Sequence, residues 1–183
     1  MSKVSYKNLL LKKNKSPITC LTAYSKPIAN LLDGKVDLIL VGDSVGTTLY
    51  GMKNTRGVTL DMMKNHGKAV VKNAKSSMTI VDMPYNTYRN KKEALKNAQE
   101  LISSTKADFL KIETDKKDIE IVKYLSENKI RVVSHIGVTP QKFSDFRKIK
   151  SVGKNTSDAK KLLSLSLIHI SEPTRRYAIS YAV

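Results

Sequence analysis

One cysteine, Cys20, occurs in the 183 residues, so an internal disulfide is excluded and the usage fits a reducing compartment. Cys20 sits in the apolar run Ile18-Thr19-Cys20-Leu21 with no histidine nearby in sequence, a setting that predicts buried packing rather than a nucleophile. No apolar stretch approaches the roughly 20 residues that cross a bilayer, and no membrane partner is expected. The first fifteen residues carry lysines and a Leu9-Leu10-Leu11 triplet but no sustained apolar region and no small-residue cleavage pattern. They do not read as a secretory signal, and the expected location is cytoplasmic. Aromatic residues are scarce, at 6%, and do not alternate with basic ones as base-stacking platforms would. Acids are also few, 16 against 33 Lys and Arg, leaving a net charge of +17. Such a charge raises the question of a nucleic-acid partner. The lysines are spread over helix faces, for example Lys64, Lys68 and Lys72, rather than gathered in one arm, so no nucleic-acid partner is expected. Attraction of small anionic substrates is a milder use of the same field.

What the chain does have is a recurring device. Leu38-Ile39-Leu40-Val41 is a short apolar run of the kind buried on both faces of a sheet, and it ends in Gly42, Asp43 and Ser44. Met78 to Val81 ends in Asp82, and Phe109 to Ile112 ends in Glu113. The intervals leave room for a helix between successive strands, as repeated βαβ units require. Parallel strands would bring the three carboxylates to one rim, where α/β folds hold their chemistry, and three converging acids suggest a cation. Asp and Ser after a strand are also ordinary caps and turn residues, which is the plainer reading of any one of them.

Taken in order, Ile18 to Ala23 reads as a first strand. Ser25 with Pro27 opens a helix that Gly34 stops. A loop from Gly46 through Gly57, too long for a minimal connection, is placed to cover a site. Thr59 caps a helix with Met63, Gly67, Val70, Val71 and Ala74 inward, and His66 within it reads as solvated or capping. Asn90 and Glu93 form a capping box before a helix with Ala94, Leu95, Ala98, Leu101 and Ile102 inward. Strands at Asp108 to Glu113 and Ile130 to Ser134 flank a helix that buries Ile119, Val122 and Leu125. About five βα units are thus expected, an incomplete (β/α)8 TIM-type barrel, since closed barrels run to about 250 residues.

A further helix begins near Thr156. The run from Leu165 to Arg175, L-S-L-I-H-I-S-E-P-T-R, resembles a translated sequencing adapter. Residues 1–164 are therefore read as the N-terminal part of the barrel and 165–183 as a non-native tail, which sets aside His169 and Glu172. If native, Leu167 to Ile170 would pass as a strand.

Several motifs resemble the ketopantoate hydroxymethyltransferase family. They are L-T-A-Y at Leu21 to Tyr24, D-L-I-L-V-G-D-S at Asp37 to Ser44, V-T-L-D-M-M at Val58 to Met63 with His66, V-D-M-P at Val81 to Pro84, K-I-E at Lys111 to Glu113 and H-I-G-V-T-P-Q at His135 to Gln141. Their order and spacing are together highly specific. The resemblance implies a barrel that assembles as a homo-oligomer, a decamer. It also implies transfer of a hydroxymethyl group from 5,10-methylenetetrahydrofolate to 3-methyl-2-oxobutanoate through a Mg²⁺-stabilised enolate, giving ketopantoate for pantothenate and coenzyme A synthesis. Mg²⁺ would be held by Asp43 and Asp82, with Glu113 completing the shell directly or through water. The oxo acid would be bound by Asp43, Ser44, Asp82 and Lys111, and His135 is a further candidate. The alternatives are another Mg²⁺-dependent barrel of the phosphoenolpyruvate mutase or isocitrate lyase kind, and a basic nucleic-acid-binding fragment.

Departures from the family pattern fall in loops: Ser25 replaces an aspartate, Thr114 and Asp115 replace glycines, and Gly57 replaces a proline. The family's general base, a glutamate at the end of the sixth strand, has no counterpart before the tail. The chain by itself is expected to be inactive and poorly folded, because an unclosed barrel leaves a parallel edge strand and apolar faces uncovered.

Overall fold

The computed structural model describes residues 3–12, 15–171 and 178–182, with side chains through Ser166. Six strands form one sheet: β1 (Cys20–Thr22), β2 (Leu38–Val41), β3 (Met78–Asp82), β4 (Phe109–Glu113), β5 (Val132–Ile136) and β6 (Ala178–Ala182). All neighbours are parallel and the spatial order follows the chain order. A doubly wound sheet reverses its order at a switch point, whereas this one is wound in a single direction, the arrangement of part of a (β/α) barrel. The helices are α1 (Tyr6–Lys12), α2 (Lys26–Leu32), α3 (Val45–Thr48), α4 (Leu60–Val71), α5 (Lys91–Thr105), α6 (Ile119–Glu127) and α7 (Thr156–Ser171). Among the described residues no helix is long and apolar enough to cross a membrane.

The period-two alternation of the strands sorts their side chains into two cores. Ile39, Val41, Val81, Leu110, Ile112 and Val132 face outward onto helix residues including Met63, Val70, Ala94, Ala98, Leu101, Val122 and Leu125. Leu38, Met78, Ile80, Phe109 and Val133 face inward, joined by Leu9, Tyr6, Leu40 and Cys20. Burial on both faces is why the strands read as unbroken apolar runs. Cys20 packs against the inner cluster but is only half-buried, because β1 is an edge strand.

Local signals account for most of the helix starts. Thr59 Oγ1 accepts the Met62 N–H at 3.2 Å. Asn90 Oδ1 accepts the Glu93 N–H at 3.0 Å, yet the Glu93 carboxylate turns to Arg89 at 2.8 Å, so the expected capping box is only half formed. Ser25 makes no side-chain cap, and Pro27 in the first turn of α2 is the remaining local signal. The expected loop over 46–57 is partly helical: α3 and a 3-10 turn at Thr55–Gly57 lie within or overlap it. Asn54 Nδ2 ties it to the Ser144 carbonyl at 2.8 Å.

The amino ends of the strands are closed by α1, a helix with no clear periodicity in the sequence. Leu9 is fully buried, and Tyr6 meets Phe109 with ring centroids 6.1 Å apart. Two aspartates one residue ahead of their strands fasten this end. Asp37 Oδ2 accepts the Thr19 N–H at 2.8 Å and its hydroxyl at 3.0 Å, and Asp108 Oδ2 accepts the same two groups of Thr79 at 2.8 and 2.9 Å. Each also meets a lysine, Lys12 at the end of α1 to Asp37 at 2.6 Å and Lys3 just ahead of α1 to Asp108 at 2.9 Å.

At the other end of the chain, Leu167 to Ile170 belong to α7 and not to a strand, and β6 pairs with β5 within the stretch read as a tail. Pairing along an open edge is made by backbone groups and is indifferent to the origin of the segment. Glu172 lies outside the described residues, as does the side chain of His169.

Candidate active site

The inward alternation that places Phe109 in the lower core continues up β4 to Lys111 and Glu113. Strand register sets Asp82 beside Lys111 and Glu113 beside His135. An apolar floor therefore gives way to charge at the carboxyl ends of the strands.

Lys111 is buried, with Nζ 2.9 Å from Asp82 Oδ2. That oxygen also accepts the Asp43 backbone N–H at 3.0 Å. The other, Asp82 Oδ1, is buried and has no hydrogen-bond partner. Gln141 completes the group: its Nε2 donates to Asp43 Oδ2 at 2.7 Å and to the Met83 carbonyl at 3.1 Å, and its N–H donates to Glu113 Oε2 at 3.0 Å. The Tyr88 hydroxyl donates to Gln141 Oε1 and accepts the Glu113 N–H at 3.3 Å.

The electrostatics follow from putting three acids and one lysine out of water. Burial pushes the Asp43 carboxyl up to about 6, with Asp82 adding to the rise and Lys111 opposing it. Burial, and then Asp43, pushes Glu113 up to about 8. Asp82 is raised by burial despite the neighbouring Lys111. Burial alone would lower Lys111, but Asp82 above all, then Asp43 and Glu113, hold it above its ordinary value and charged. Burial, with Lys111 assisting, drives His135 down to about 4. It is neutral at pH 7, and its 3.7 Å approach to Glu113 is not an ion pair there.

Asp43, Asp82, Lys111, Glu113 and His135 are thus gathered at one end of the sheet. Ser44 lies at the margin, its Oγ 2.7 Å from the Tyr24 hydroxyl. A Cβ on Gly42 would fall 2.8 Å from Ser44 Oγ and 3.7 Å from Asp82 Oδ2, so only glycine leaves the gap between them open. His66 is half-buried and engaged at both ring nitrogens: Nδ1 meets the Tyr24 carbonyl at 2.7 Å and Nε2 the exposed Tyr50 hydroxyl at 2.9 Å. Gln141, Tyr88 and Tyr24 join the site without a role predicted from sequence. Gln141 and Tyr24 close two of the motifs, which is the signal that could have marked them, whereas nothing in sequence marks Tyr88.

The donor set fits a hard divalent cation in part. Asp82 offers an unpaired buried oxygen, and Mg²⁺ characteristically takes one or two carboxylates and keeps waters. Among the described residues no three His, Cys, Asp or Glu side chains converge as a ready cage. The reason is visible in Gln141, which stands between Asp43 and Glu113 and binds both.

The family model described as ketopantoate hydroxymethyltransferase matches residues 3–169. The chain belongs to the ketopantoate hydroxymethyltransferase family. Its relatives include proteins named 3-methyl-2-oxobutanoate hydroxymethyltransferase. The one from Pelagibacter ubique is 51% identical over 156 residues, covering 85% of this chain and 60% of the relative. The one from Rhizobium etli is 43% identical, covering 82% and 55%, and the one from Anaplasma marginale strain St. Maries is 46% identical, covering 80% and 53%. The chain therefore spans somewhat over half the length of these ketopantoate hydroxymethyltransferase relatives. Solved structures share the fold at low identity. A 2,3-dimethylmalate lyase of the PEP mutase/isocitrate lyase superfamily gives a TM-score of 0.55 at 15% identity, covering 74% of this chain and 53% of that one. A phosphonopyruvate hydrolase in complex with oxalate and Mg²⁺ gives 0.54 at 13%, covering 74% and 52%. At such identities these neighbours bear on architecture alone, while the sequence relatives carry the family.

Proposed function

We propose that this site binds 3-methyl-2-oxobutanoate and serves the transfer of a hydroxymethyl group to it from 5,10-methylenetetrahydrofolate, giving ketopantoate. The observation that carries the reading is a buried, charged Lys111 held among three carboxylates, one of which keeps an unpaired oxygen. Lys111 and the Ser44 hydroxyl, oriented by Tyr24, bind and align the anionic oxo acid. Asp43 and Asp82 would hold Mg²⁺, with Glu113 reaching it through water because Gln141 intervenes. When bound, the ion supplies Lewis-acid polarisation of the oxo-acid carbonyl. Neutral His135 is able to hydrogen-bond a substrate oxygen without adding charge. A cytoplasmic location and assembly of the full-length relatives into a homo-oligomer belong to the same reading.

The family's general base, a glutamate at the end of the sixth strand, has no counterpart among the described residues of β6, A-I-S-Y-A. The chain itself is therefore expected to bind the oxo acid without converting it, and of the tail that begins at residue 165 the part past the family match, 170–183, is proposed as foreign to the family. Calorimetry with 3-methyl-2-oxobutanoate and Mg²⁺ tests the reading. Binding should weaken at least about tenfold in Asp82→Asn, the loss of a charge-assisted interaction. Tighter binding of oxaloacetate or phosphonopyruvate would favour the lyase-like alternative, and ketopantoate formation by the purified chain would overturn the claim of inactivity.

A further inference from the structure

Two cavities adjoin on the rim that carries the acids. The inner one, about 430 Å³, reaches Glu113 and Gln141 and is walled by Tyr85, Tyr88 and Lys117. Arg56 stacks over the Tyr85 ring at 4.2 Å from its centroid, which stiffens that wall. The outer one, about 770 Å³, is bounded by Lys116, Lys117, Lys160 and Lys161, with Asp115 its only acid. Lys117 lines both, so the two cavities meet at this side chain, one on the side of Glu113 and the other on the side of α7.

From the inner cavity to the outer one the charge changes in one direction. Next to Glu113 the inner cavity is tyrosine-walled and mixed in charge, a setting that accepts a flat, polar ring. The outer basin is strongly cationic. Its acid, Asp115, is already engaged by Lys142 at 2.7 Å. Lys161 makes only a 3.9 Å contact with Asp158, and Lys116, Lys117 and Lys160 have no ion pair among the described residues. Lys160 and Lys161 project from the first turns of α7, whose amino end adds a partial positive charge to the same basin. Part of the net charge of +17, scattered in sequence, is collected here by the fold.

We propose that the outer basin is a subsite for a chain of carboxylates, namely the oligo-γ-glutamate tail of the folate donor, whose ring occupies the inner cavity. This deepens the reading given above and rests on it. Lysine stems line the basin and their ammonium groups remain in water, so each contact is modest and salt-sensitive, and the preference grows with tail length.

The test is equilibrium binding of the stable probes 5-formyltetrahydrofolate monoglutamate and pentaglutamate to the purified chain at two salt concentrations. The pentaglutamate is expected to bind about tenfold more tightly at low salt, with the ratio shrinking as salt rises. In Lys160→Gln/Lys161→Gln, a double change of exposed residues, the ratio should fall to within about twofold while monoglutamate affinity stays as it was. Equal affinity for the two probes in the parent chain would overturn the tail subsite and leave the folate reading standing. Failure of the monoglutamate to bind would overturn both. Free penta-γ-glutamate or an oligonucleotide competing as well as the full probe would make the basin a general polyanion surface and overturn the assignment to the donor.

Discussion

The two ends of this sheet use the same residue type to opposite effect. At the amino ends, Asp37 and Asp108 are each satisfied by a threonine N–H, its hydroxyl and a lysine, and hydrogen bonding and Lys12 hold Asp37 below its ordinary pKa against the pull of burial. At the carboxyl ends, Asp43, Asp82 and Glu113 are crowded together, raised by burial, and share one lysine. An acid that lowers the free energy of the fold looks to the backbone for its partners. An acid kept for a ligand is left short of them, and the fold tolerates the deficit.

Removing a group from each end should separate the two roles. The largest effect is expected at Lys111→Met, which strips the carboxyl-end acids of their cation. Breaking a buried pair by deleting one partner typically costs about 3–5 kcal/mol, read as a lower midpoint in urea titration. Next come two changes expected to differ in sign. Asp37→Ala leaves the Thr19 N–H unpaired and should destabilise by about 1–3 kcal/mol. Glu113→Gln removes an acid that burial pushes up to about 8, and with it the cost of holding that acid protonated at neutral pH, while keeping an oxygen for the Gln141 N–H, and should be neutral or stabilising in metal-free buffer. Destabilisation by Glu113→Gln as large as that by Asp37→Ala would erase the distinction between the ends.

The smallest effect concerns acid. Asp33 accepts the N–H groups of Lys75, Ser76 and Ser77 at 2.8 to 2.9 Å, and these bonds, outweighing its burial, hold it below its ordinary value. A carboxylate whose folded pKa is depressed contributes stability above its unfolded value, near 3.9, and that contribution is lost as pH falls through the folded value. Asp33→Asn should therefore lower the thermal midpoint at pH 6 and change it little near pH 2. A deficit that persists undiminished at pH 2 would mean that the asparagine disturbs the turn by shape and not by charge.

The acids Asp43, Asp82 and Glu113 were legible in the sequence because each ends an apolar run, and three acids at equivalent places outweigh the reading of any one of them as a cap or turn residue. The motif order made the family legible as well. The plug was not. A seven-residue helix with a single buried leucine has no period to read, and its anchors, Lys3 to Asp108 and Lys12 to Asp37, join residues far apart in sequence. Nor was the part played by Gln141, since a glutamine in a loop becomes a bridge only when two other strands arrive beside it. The lysine basin was hidden for the same reason: its members lie on a turn and on a helix more than forty residues later.

That glutamine has a consequence for how the molecule forms. Its bond to Asp43 spans 98 residues. Contacts of such separation must wait for loop closure and for the intervening strands to dock, so they are made late. Until then the carboxylates are hydrated and scarcely feel one another. The repulsion built into the site is met only after most of the core has been buried, and the nascent chain collapses as though the site were not there.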